Sequence, residues 1–147
     1  MKTPIELFEE KRDKYIALIP QESKCRFEKH KLVKEKQFEK SLLLRNELKI
    51  IREEKENIYN EIMEIYDSEP ISTTNISLKK EILTFVAKLG YNYVEYSINQ
   101  AIKKQVQYLN LQHKIAFENK DFENSVKNSD EAIKLIAISN KPLDFFL

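Results

Sequence analysis

The chain has 147 residues, a formal charge of +1 and a single glycine, Gly90, where an average chain of this length carries roughly ten. Sheets, tight hairpins and phosphate-cradling loops depend on glycine for positive φ and close backbone approach, so this composition excludes most of them and points to an all-α fold. The near-zero charge excludes a whole-protein attraction to nucleic acid or membrane and leaves only local patches to consider.

The first helix is announced by Thr3-Pro4-Ile5-Glu6: a capping threonine, a proline suited to the first helical position, and a glutamate that completes a capping box. Ile5, Phe8, Tyr15, Ile16 and Ile19 follow at helical spacing, and Pro20 is expected to stop the helix, giving 4–19. From Gln21 to Tyr66 the chain contains neither proline nor glycine. As one helix that stretch would be about 68 Å long, so it either projects as a rod or breaks. Leu44, Leu48, Ile51, Ile58, Ile62 and Ile65 follow a 4-3 spacing interrupted at Lys55. They read as a short coiled-coil-like seam, serving as intramolecular core or as a homodimer interface. Projected back along the same helix, that face carries Arg26, Lys29, Lys36 and Lys40, which places the change from basic to apolar near Ser41.

Residues 67–76 are polar and rich in turn formers, and read as a linker between a long-helix hairpin (1–66) and a small helical bundle (77–147). Ser77 can cap a helix through Leu89, ended by Gly90. The next helix is expected from about Asn92 toward Phe117, followed by a turn at Asn119-Lys120-Asp121 and a last helix over 122–139. The tail Phe145-Phe146-Leu147 is apolar where chain ends are usually polar. It either staples the last helix to the core or docks on a partner.

Chemistry is sparse. Cys25 is the only cysteine, so no intrachain disulfide or cysteine cluster can form. Neither His30 nor His113 has a glutamate three residues before it, as a di-iron bundle requires. The sequence has no His-Glu-x-x-His, no phosphate loop and no nucleophile elbow. The chain is therefore read as non-enzymatic, without cofactor or metal. It starts with no apolar leader-like segment and has no long apolar run, so a cytoplasmic protein with no membrane partner is expected.

Two nucleic-acid features stand beside the protein-binding reading. Lys24–Lys40 holds seven Lys/Arg against three Glu, and its stripe Arg26, Lys29, Lys36 and Lys40 could track phosphates or an acidic surface. The segment 82–102 can be read as a helix-turn-helix, with Ser97-Ile98-Asn99-Gln100 offering polar groups to base edges, although the stretch after Gly90 is long for the usual turn. Over 108–138 the chain is similar to a single tetratricopeptide-type helix pair in its placing of Leu109, Ala116, Asp121-Phe122, Ala132 and Ile133. It departs from that pattern at His113, Ser125 and Ser129. Arrays of that type need about three repeats, so the likeness concerns helix packing. The sequence thus favours a small helical adaptor, inhibitor or assembly factor that binds a protein partner and self-associates. Its expected contacts are Arg26, Lys29, Lys36 and Lys40 and the tail Phe145, Phe146 and Leu147, with nucleic-acid binding as the alternative.

Overall fold

A computed structural model describes residues 1–90 and 98–147. Every regular element in these residues is helical: α1 (Pro4–Lys34), α2 (Phe38–Asp67), α3 (Ile76–Lys88), α4 (Ile98–Glu118), α5 (Phe122–Ser139) and a short 3-10 turn, Leu143–Phe146. The chain divides into two compact units, Met1–Ser68 and Glu69–Leu147.

The first unit is an antiparallel hairpin of α1 and α2. The capping box forms as expected, with the Glu6 amide donating to Thr3 Oγ1 and the Thr3 amide donating to the Glu6 carboxylate. Pro20, however, does not stop the helix. A proline inside a helix removes one backbone hydrogen bond, here to the Ile16 carbonyl, and crowds the preceding turn. Pro20 is exposed and α1 continues through it for fourteen residues, so packing along α2 outweighs the local cost. The chain reverses at Glu35–Gln37 rather than near Ser41. There Lys36 takes the left-handed conformation (φ 59°), its amide donates to Val33 O, and the Gln37 amide donates to Leu32 O at 2.9 Å. This is a Schellman end built on lysine where glycine is usual.

The expected 4-3 seam is present and has a matching one on α1. Phe8, Tyr15, Leu18 and Cys25 are buried on α1; Leu48, Ile58 and Ile62 are buried on α2, with Leu44, Ile51 and Ile65 half-buried. Lys55, the interruption in the α2 seam, meets a matching interruption on α1. Its ammonium lies 2.5 Å from Glu22 Oε2 and 5.2 Å from the centre of the Tyr15 ring. Polar pairs at seam positions fix the register of two helices at some cost in stability.

The second unit packs Ile71, Ile76, Ile102, Val106, Leu109, Ala132, Leu135 and Phe146 into one core. The expected linker belongs to it. Ile71 is buried, the Thr73 amide and hydroxyl donate to the Glu131 carboxylate, and Asn75 bonds both Ser72 and Pro70. The buried Lys79 side chain donates to the Glu69 carbonyl. Gly90 follows α3 with φ +83°, as a helix-ending glycine should. Asp121 caps α5 through Asn124, and α5 spans the expected 122–139. The proposed start of a helix at Asn92 and the turn of the 82–102 helix-turn-helix fall on 91–97, outside the described residues.

Candidate docking surfaces

The basic stripe does not survive as one face. Arg26 and Lys29 lie on α1, Lys36 forms the turn, and Lys40 lies on α2, because α1 ends at Lys34. Lys29 instead faces a groove of about 460 Å³, shared with Leu42, Arg45, Lys49 and Arg52 from α2. The last three recur at i, i+4 and i+7, which puts them on one side of the helix. That spacing was readable in the sequence.

The tail also differs from its reading as a docking motif. Phe146 is buried in the core of the second unit, so it is unavailable to a partner. Phe145 stacks edge-on against it at 5.1 Å, with the Lys103 ammonium 5.1 Å from its ring centre. Only Leu147 stands in solvent. The tail is a staple, driven by the burial of a full aromatic side chain.

The seam Leu44, Leu48, Ile51, Ile58, Ile62 and Ile65 is covered to a large extent within one chain, so its buried members offer nothing to a second copy without opening the hairpin. Cys25 sits in the seam with its Sγ 3.2 Å from Leu44 O. Burial pushes the thiol up, with Glu47 and Glu28 adding to the effect, which is the opposite of what a nucleophile needs. His113 and Ser125, two of the three departures from the tetratricopeptide-type pattern, bond each other. His113 Nδ1 lies 2.7 Å from Ser125 Oγ and 2.8 Å from the Ser125 carbonyl. A carbonyl only accepts, so Nδ1 carries the proton and has no lone pair with which to activate the hydroxyl. The pair ties α4 to α5. Among the described residues no group of His, Cys, Asp or Glu could hold a metal ion, and no helix is long and apolar enough to cross a membrane.

A surface that the sequence reading missed lies on the outer faces of α4 and α5. Ile102, Val106 and Leu109 turn inward, yet Tyr108, Leu111 and Ile115 recur at i, i+3 and i+7 on another side of the same helix and are exposed. On α5, Phe122, Val126 and Ile133 repeat the pattern at i, i+4 and i+11; Ile133 keeps 61% of its surface in solvent. A helix apolar on two sides needs a second apolar neighbour. The signal was present in the sequence as surplus apolar positions in 108–133. The hairpin also leaves apolar side chains in solvent: Ile5, Ile16, Ile19 and Phe27 recur at i, i+11, i+14 and i+22 on α1, and Leu43 and Ile50 at i and i+7 on α2.

No family model, no curated protein and no solved structure matches the chain.

Proposed function

We propose that the chain is a non-enzymatic cytoplasmic binding protein, an adaptor, inhibitor or assembly factor, that lays the outer faces of α4 and α5 against a protein partner. One observation carries this reading: two exposed apolar stripes, Tyr108-Leu111-Ile115 and Phe122-Val126-Ile133, on helices whose other faces already form the core. Burying six such side chains removes enough apolar surface to form the centre of a modest interface. The Lys and Asp/Glu residues around them, among them Lys104, Lys114, Glu118 and Lys127, supply a polar rim.

The test is affinity capture from a lysate of the source organism, half of it nuclease-treated, with the wild type and the variant Leu111→Ser/Ile115→Ser/Val126→Ser/Ile133→Ser. A stoichiometric protein that survives nuclease and moderate salt, and is lost with the variant, is the expected result. Recovery that depends on nucleic acid and collapses with salt would overturn the reading in favour of the basic hairpin surface.

A further inference from the structure

The charges of the hairpin are segregated. Residues 24–49 carry nine Lys/Arg against four Glu, a charge of +5, whereas the rest of the unit, 1–23 and 50–68, carries six Lys/Arg against eleven Asp/Glu, a charge of −5. Because the helices are antiparallel, the basic end of α1 lies beside the basic end of α2. At the far end the excess of carboxylates lies on α2: residues 50–68 carry two Lys/Arg against six Asp/Glu, whereas 1–23 carry four against five and Lys11 pairs with Glu61 at 2.7 Å.

The order along α2 is unfavourable on its own terms. Four of its five cations lie in the first half and six of its eight carboxylates in the second, with no basic residue in the last turn, an order largely opposite to what the helix dipole prefers. Lys49 with Glu53 and Arg52 with Glu56 have the intrahelical spacing of ion pairs but run cation first, the weaker orientation. No ion pair forms at either spacing; Arg45, Lys49, Glu53 and Glu56 make none among the described residues, and Arg52 reaches only Glu22, at 3.4 Å. All of these α2 groups line the single groove described above, cations toward one end and carboxylates toward the other.

We infer that a second copy of this chain occupies this groove, with the two α2 helices antiparallel about a two-fold axis between Arg52 and Glu53. A two-fold interface must be self-complementary, each residue meeting its counterpart reciprocally. In this register Lys49 of one copy faces Glu56 of the other, Arg52 faces Glu53, and each pair occurs twice. Leu42 then stands opposite Met63, giving the contact an apolar component at both ends. The charge order that opposes the dipole of a single α2 becomes favourable across the pair. Surface ion pairs are individually weak and screened, so the dimer is weak and sensitive to salt. The inference rests on the reading of the chain as a binding protein but uses a surface separate from α4 and α5.

The test is the mass of the full chain by sedimentation equilibrium, for wild type, Lys49→Glu, Glu56→Lys and an equimolar mixture of the two variants. Both side chains are exposed, so unchanged helical circular dichroism is expected of each variant. Wild type should dimerise in about 50 mM salt and dissociate near about 500 mM. Each reversal alone creates two repulsive contacts and should weaken association at least about tenfold. The mixture should restore the dimer, because both contacts then become attractive. A wild type that remains monomeric at about 200 µM in low salt, or that binds a polyglutamate peptide or duplex DNA as a monomer, overturns the inference. So does a mixture that stays monomeric. None of these results touches the α4–α5 reading, which is decided by capture with the stripe variant.

Discussion

The two units solve helix packing in different ways. The hairpin Met1–Ser68 holds two helices of about thirty residues with a heptad seam that contains a charged pair, and its surface is strongly segregated by charge. The unit Glu69–Leu147 holds shorter helices around an aliphatic core and keeps apolar side chains on its outside as well. A single seam gives few apolar contacts per residue, so register has to be set by a polar pair. A core fed by several helices is specified by shape. Both units expose apolar side chains at helical spacing, so what sets the hairpin apart is the order of its charges and what sets the second unit apart is a core shared by several helices.

The largest expected effect lies in the core of the second unit. Leu135 is fully buried among Ile102, Val106 and Phe146, and Leu135→Ala is expected to cost about 3 kcal/mol in urea denaturation. A loss below about 1 kcal/mol would mean that the core is loosely packed. In the hairpin, Lys55→Met leaves the Glu22 carboxylate in the seam without its closest cation, at an expected cost of about 2 kcal/mol. Replacing both, Glu22→Leu with Lys55→Leu, should recover that loss or exceed the wild type while weakening the register. A double variant less stable than Lys55→Met would show that the pair is a net source of stability.

The same pair gives the hairpin a pH dependence. The hydrogen bond from Lys55 holds the Glu22 carboxyl below its usual value of 4.5, against the opposing effect of burial. A lowered folded-state value stabilises the fold above the unfolded-state value, and this contribution is lost as pH falls through the folded-state value. Wild type should therefore lose more stability than Glu22→Gln below about pH 4.5, as followed by thermal melts. Parallel curves would remove the pair from the account. The smallest effect is at the turn. Lys36→Gly relieves a left-handed lysine and should stabilise by up to about 1 kcal/mol; a loss would mean that the side chain makes contacts that outweigh its backbone strain.

Much of this architecture was legible where local chemistry acts alone. Thr3 with Glu6, Gly90, and Asp121 before a helix over 122–139 each carried a terminal signal that the fold keeps. The sequence misled where tertiary packing overrides a local rule. Pro20 is a breaker by itself and a tolerated member of a long packed helix here. Lys36 ends α1 in left-handed geometry with no glycine to mark the place, whereas Lys120 does the same for α4 inside the turn expected at Asn119-Lys120-Asp121. The polar stretch after Asp67 read as a linker because the burial of Ile71 and the Thr73–Glu131 bonds depend on a helix far along the chain, 58 residues from Thr73 to Glu131. Projecting Arg26 to Lys40 as one stripe failed because the chain reverses at Glu35–Gln37 with neither proline nor glycine there. Lys55 was recognised as an interruption, but its partner Glu22 lies on the other side of a proline and a chain reversal.

The most direct measurement is hydrogen exchange of the chain with and without its captured protein partner, in salt high enough to separate copies of the chain. The account requires slowed exchange along 104–134, where the two stripes lie, with 24–56 unchanged. Slowing confined to the hairpin, with 104–134 unaffected, would contradict it.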